Sequence, residues 1–214
     1  MSVTTTKHDL ARKLVERHGR LYSEELGIDL GKGTAAPLFL WLCASLLYST
    51  RISVDLATAA AKRLADEGWT TVDKMARSTW EQRARALNES GYARYDESTS
   101  RMLGEVCEHL QKVYGGDLRG VREQAERDPQ EQRELLKEFK GIGEVGADIF
   151  FREVQLVWDE QAPFADARAL RAASRLGLAS DAQGLKWLVD KKELPRLVVA
   201  LVRLESEDLY SDFE

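Results

Sequence analysis

The stretch LLKEFKGIGEVGADIFFREV, residues 135–154, decides the fold of this chain. Apolar residues recur at helical spacing on both sides of a glycine pair: Leu135, Leu136 and Phe139 before it, and Val145, Ile149 and Val154 after it. Gly141 and Gly143 permit the positive φ angles of a tight hairpin. The stretch therefore predicts helix, hairpin, helix. A plain turn between two helices is the less specific interpretation.

The predicted hairpin has features that favour anion binding. Backbone N–H groups in the first turn of a helix have no helical acceptor, and the helix dipole places positive charge there. A nucleic-acid phosphate fits such a site without any basic side chain. The residues expected to contact a DNA backbone here are Lys140, Gly141, Ile142, Gly143, Val145 and Gly146.

A second stretch, APFADARALRAASRLGL at residues 162–178, makes a family resemblance specific. The order of GIGEVGAD, an apolar helix and FADARALRAASRLGL resembles the helix-hairpin-helix base-excision DNA glycosylase superfamily, endonuclease III-like. In that family a Gly-Val/Ile-Gly hairpin precedes an Asp that opens a helix. LFLWLCASLLYSTRISVDLATAAAKRL and Gly91-Tyr92 resemble further family segments, so the resemblance spans roughly residues 35–205.

The resemblance implies an all-α, two-lobed fold with a cleft between the lobes. Residues 30–155 are expected to form a six-helix bundle ending in the hairpin, and residues 1–29 with 156–214 a second helical lobe. Asp166 is expected at the mouth of the cleft. The implied function is base-excision repair, in which a damaged or mismatched base is removed from duplex DNA.

Departures from the family pattern narrow that function. Lyase-competent members carry a Lys where this chain has Val145, so the resemblance implies a monofunctional N-glycosylase that does not cleave the strand. Cys43 and Cys107 are the only cysteines, so the four thiolate ligands of the iron–sulfur cluster are missing. No cofactor is expected. Glu144 stands where a basic residue is common, and Arg51 replaces the family's loop Gln.

Asp166 is the predicted catalytic carboxylate. Breaking an N-glycosidic bond builds positive charge on the sugar, which a nearby ionised acid stabilises, and the same acid can orient the attacking water. The simpler interpretation is that Asp166 only caps the helix that follows it.

Charge argues against simple nucleic-acid binding. The net charge is −5 and the pI about 5.4, so DNA affinity requires a locally basic face. The candidates are Arg168, Arg171 and Arg175 on one helix side, and Lys137, Lys140 and Arg152 flanking the hairpin. The alternative is a solvated helix face with ordinary ion pairs. A non-catalytic DNA-structure or protein-binding module on the same scaffold is the competing function.

The loop after residue 48 is predicted to probe the duplex, since a target base must be flipped from the stack. Wedge or pocket candidates are Tyr48, Ser49, Thr50, Arg51, Tyr92 and Tyr95. Aromatic residues at helical spacing, Trp41 among them, are also typical of a core.

Helical patterns cover most of the 214 residues, with no repeat and no low-complexity linker. The predicted helices are 8–18, 35–48, 54–66, 72–77, 79–89, 96–113, 117–127, 131–139, 145–157, 166–176, 181–190 and 194–206.

No apolar run of about 20 residues and no signal-peptide core is found, so we expect a cytoplasmic protein without a membrane partner. Lesion-containing double-stranded DNA is the expected partner, and a monomer the expected state. The scattered histidines predict no metal site.

Overall fold

A computed structural model describes residues 6–213, and within that range every regular element is a helix. The α-helices are α1 (Lys7–His18), α2 (Tyr22–Glu25), α3 (Ala35–Tyr48), α4 (Val54–Asp66), α5 (Val72–Ala76), α6 (Trp80–Glu89), α7 (Asp96–Tyr114), α8 (Arg119–Gln124), α9 (Pro129–Lys137), α10 (Glu144–Val154), α11 (Ala167–Arg175), α12 (Ala182–Lys186) and α13 (Leu194–Glu207). Short 3-10 helices occupy Leu30–Lys32, Asp159–Gln161 and Leu209–Asp212. The prediction of an all-α protein is confirmed.

Most helix boundaries follow from local signals. Thr79 caps α6 and exchanges hydrogen bonds with Gln82, a capping box, and Asp128 caps α9 just before Pro129. The helix α2 was not predicted. Its first N–H groups, of Tyr22 and Ser23, donate to Glu153 at 2.9 and 3.1 Å, a long-range contact that no local pattern reveals.

The chain divides into two compact units, residues 26–150 and residues 1–25 with 151–214. In the first unit α7 packs against α5 and α6, and α4 packs against α3 and α6. Its core is rich in aromatic and leucine side chains. The Trp41 indole, fully buried on α3, donates to the Phe150 carbonyl at 3.1 Å and so ties α3 to α10.

The unit formed by the chain ends is built on α13, which packs against α1 and α11. Small residues on α11, Ala169, Ala172 and Ala173, are completely buried, and they let α11 lie close to α13. Leu14 of α1 and Leu201 of α13 belong to the same core. The N-terminal helix α1 therefore shares the core of this unit with the C-terminal helices α11 and α13.

Candidate functional site

The hairpin at residues 141–143 packs closely against other residues of the unit formed by residues 26–150. Gly141 has φ of 88°, and a Cβ added there would lie 2.7 Å from Met102 Sδ and 3.1 Å from Leu46 Cδ1. Ile142 is 3% exposed and donates its N–H to the Phe139 carbonyl at 2.9 Å. The turn therefore requires glycine at 141, and the Ile142 side chain anchors it.

The helix after the hairpin begins with amide groups that have no acceptor within the helix. The first backbone bond of α10 runs from Ala147 N–H to the Gly143 carbonyl at 2.9 Å, so the N–H groups of residues 144–146 precede the helical ladder. Gly143 is exposed, and a Cβ added there would meet no described atom within 4 Å. The hairpin is open to a ligand at Gly143, whereas Ile142 and Gly146 are buried.

Val145 does not join the apolar face of α10, which corrects the sequence-based prediction. Its side chain is 57% exposed, whereas Ile149 is 8% exposed and Val154 is buried. The reason is its place in the first turn, because burial on α10 begins one residue later, at Gly146. An apolar side chain beside the open hairpin remains available for contact with a partner.

Charges around the hairpin are largely compensated. Glu144, the first residue of α10, pairs with Lys137 at 2.6 Å and with Arg133 at 2.9 Å. The hydrogen bond to Glu144 raises the pKa of Lys137, and that from Lys137 lowers the pKa of Glu144. Arg133 also pairs with Asp148 at 2.7 Å. Lys140 is exposed.

The loop at residues 49–51 lies next to the start of α10. A Cβ added at Gly146 would be 3.7 Å from Ser49 Cβ. The Ser49 and Thr50 hydroxyls donate to carbonyls of the last turn of α3, each at 2.8 Å, which fixes the loop. Arg51 is exposed. The hairpin and the predicted probing loop are thus brought together within one unit.

The aromatic candidates divide by burial. Tyr92 is 1% exposed, and its hydroxyl donates to Thr50 Oγ1 at 2.8 Å, which favours the core interpretation for its ring. Burial raises the pKa of Tyr92. Tyr95 packs edge-on against Tyr92 with ring centroids 6.4 Å apart and is partly exposed. Tyr48 is also partly exposed, and its hydroxyl bonds Thr58 at 2.8 Å.

Asp166 caps α11, as the simpler interpretation predicted. Its backbone is extended, with φ of −77° and ψ of 169°, and Oδ1 accepts the N–H groups of Arg168 at 2.9 Å and Ala169 at 3.2 Å. The residue is 6% exposed. The cap is therefore a buried group, and its second oxygen also requires a partner.

That partner is Arg152, one of the basic residues that the sequence places beside the hairpin. Arg152 is 7% exposed, and its Nε and Nη2 lie 2.8 and 2.7 Å from Oδ2 of Asp166. The guanidinium is therefore committed to a buried carboxylate. The only available sequence signal is a charged residue inside the apolar run IFFREV, which marks a buried pair without naming the partner.

The arginines of α11 pair with groups at the end of α13 and just beyond it. Arg171 contacts Glu205 at 3.0 Å, Arg175 contacts Asp208 at 3.7 Å, and Arg168 contacts the Ser206 hydroxyl at 3.2 Å. All three arginines are exposed. The geometry has the features of a solvated face with ordinary ion pairs, the alternative to a free basic stripe.

Two kinds of site are not found in residues 6–213. No group of three or more His, Cys, Asp and Glu residues is arranged to hold a metal ion there. None of the helices in that range is both long enough and apolar enough to cross a bilayer.

Comparisons with known proteins establish the fold. No family model and no curated protein matches the sequence. A solved non-covalent complex of endonuclease III with DNA resembles the chain with a TM-score of 0.50 and 19% identity, over 76% of this chain and 71% of that one. A trapped covalent endonuclease III–DNA intermediate with an estranged adenine has a TM-score of 0.49, with the same identity and coverage. The chain has the endonuclease III-like helix-hairpin-helix fold.

Proposed function

We propose that this protein binds duplex DNA through the hairpin and removes a damaged or mismatched base as a monofunctional N-glycosylase. DNA binding rests on the open turn at Gly143, the exposed Lys140 and the adjacent loop at residues 49–51. Backbone N–H groups ahead of the α10 ladder supply the donors for a phosphate. Val145 has no amine, so no Schiff base forms there and the abasic product is released uncleaved.

The hydrogen bonds to the Asp166 carboxylate support the proposed chemistry. Four N–H donors face its two oxygens, two from the start of α11 and two from Arg152. Such a set requires an acceptor-only carboxylate fixed in one orientation. A fixed negative group suits the stabilisation of a sugar cation as the base departs. Because every acceptor position is used, Asp166 is better suited to that electrostatic role than to taking a proton from water.

A second candidate function is a non-catalytic DNA-structure or protein-binding module. The observation in its favour is the same set of contacts, because the Asp166 side chain is only 4% exposed and four protein N–H groups already face its oxygens. A group that substrate never reaches is a structural cap. The neutralised charge around Glu144 also favours a partner other than bare DNA.

A lesion panel separates the two functions. Duplex oligonucleotides carrying single damaged or mismatched bases are incubated with the protein, and released base and abasic sites are measured with and without alkaline cleavage. A glycosylase gives abasic sites that break only after alkali. A binding module releases no base from any substrate, although it still retains duplex DNA or a protein partner.

A further inference from the structure

We propose that Glu144 is a built-in competitor of DNA phosphate, which occupies Lys137 and Arg133 until the DNA backbone displaces it. The inference rests on the proposed DNA binding and concerns its regulation. Lys137 and Arg133 then become phosphate contacts, and Glu144 sets how tightly and how salt-dependently the protein binds.

Geometry places the two cations on one carboxylate. Lys137 Nζ lies 2.6 Å from Oε1 of Glu144, and Arg133 Nη1 lies 2.9 Å from Oε2, so each oxygen holds one cation. Both cations come from α9, and Glu144 follows directly after the hairpin. Because Glu144 is the first residue of α10, a phosphate at that helix start would compete with its carboxylate for the two cations.

Exposure shows which partner is easier to displace. The Glu144 side chain is 64% exposed, whereas those of Lys137 and Arg133 are 24% and 18% exposed. Glu134 and Asp148 provide a second contact for each cation, at 3.0 and 2.7 Å, so the cations stay in place when Glu144 swings away. Ion pairs with an exposed partner are weak and screened by salt, so a phosphate can replace the carboxylate.

The contact has a measurable consequence for binding. A protein that neutralises Z phosphates loses affinity with a slope of about −0.9Z in log K against log salt. In the wild type Lys137 and Arg133 together neutralise fewer than two phosphates, because Glu144 competes for them and repels the phosphate. Removing that single negative charge steepens the slope by up to about 0.9 units, corresponding to one more phosphate, because Glu134 and Asp148 still contact the two cations.

The test is fluorescence anisotropy on an unmodified 20-bp duplex, titrated at several salt concentrations from 50 to 200 mM. Glu144→Gln is compared with the wild type and with Glu16→Gln, an exposed glutamate on α1 that gives the same change in net charge. Lys137→Gln is added alone and together with Glu144→Gln. Circular dichroism establishes that each variant is folded.

We expect Glu144→Gln to bind at least 10-fold more tightly at 50 mM salt and with a steeper slope, while Glu16→Gln changes little. Lys137→Gln should weaken binding more in the Glu144→Gln background than in the wild type. Equal gains in Glu144→Gln and Glu16→Gln would overturn the inference while leaving DNA binding intact. No binding by any variant at low salt would overturn the proposed DNA binding itself and the inference with it.

Discussion

Arg152 directs Nε and Nη2 at the same carboxylate oxygen of Asp166, and both side chains are more than nine-tenths buried. The pair joins the end of α10 to the start of α11 inside one unit. It gives Asp166 a structural role whether or not it has a chemical one. Any substitution of Asp166 must therefore be interpreted together with Arg152.

Asp166→Asn is expected to lower the free energy of unfolding by about 3–5 kcal/mol, because it leaves the Arg152 guanidinium buried without its counter-charge. The asparagine carbonyl can still cap α11, but its amide group has no acceptor on Arg152. Urea unfolding monitored by circular dichroism measures the change. Asp166→Asn combined with Arg152→Met removes both charges and should recover most of the loss. If the single variant is as stable as the wild type, the buried pair does not contribute as its geometry implies.

Substitutions at the two hairpin glycines are expected to have different effects, one on stability and the other on DNA binding. Gly141→Ala should destabilise by about 1 kcal/mol or more, because φ is 88° and the new Cβ would press on Met102. Gly143→Ala meets no described atom within 4 Å and should leave stability nearly unchanged. It should nevertheless weaken duplex binding, since the methyl group keeps a phosphate from the turn. Unchanged binding by folded Gly143→Ala would argue against the hairpin as the phosphate site.

Both cysteine thiols are expected to be unreactive in the folded protein. Cys43 and Cys107 are both free and buried, and burial raises the pKa of Cys107 to about 12 and that of Cys43 well above its ordinary value. The thiolate is the reactive form, so a pKa far above the assay pH leaves almost none of it. Ellman's reagent should label neither thiol quickly at pH 8 or pH 9, and both in 8 M urea. Fast labelling of the folded protein would contradict this burial.

The loop at residues 49–51 allows a matched pair of substitutions. Tyr92→Phe removes the hydrogen bond to Thr50 and should cost about 1 kcal/mol of stability. Arg51→Ala, at an exposed position, should leave stability unchanged and weaken duplex binding. Thermal unfolding and anisotropy measure both effects. Equal DNA affinity of Arg51→Ala and the wild type would remove this loop from the interface.

Local signals predicted most of the helices, and long-range contacts account for what they missed. The hairpin was predicted from its two glycines. Thr79 and Asp128 lie directly before α6 and α9, so those helix starts also depend on neighbouring residues. The helix α2 could not, because it depends on Glu153 of α10.

The candidate site shows the same limit. Asp166 at the start of α11 is a local pattern, but Arg152 as its partner and Glu144 as the partner of Lys137 are not. The sequence places several basic residues near the hairpin and along α11, and this clustering predicts a basic surface. The structure shows that five of them, all except Lys140, contact an acid or a hydroxyl brought close by tertiary packing, and sequence spacing does not contain that information.

Asp166 is proposed to supply the negative charge that promotes base removal, and one comparison of variants tests this role most directly. Base release from the lesion panel is measured in single turnover for the wild type and for the charge-free pair Asp166→Asn with Arg152→Met, after both are shown to be folded. We expect the wild type to release a base and leave the abasic strand intact, and the paired variant to be slower by a factor on the order of 10² or more. Full activity in the folded paired variant, or no base release by the wild type from any substrate, would contradict the account.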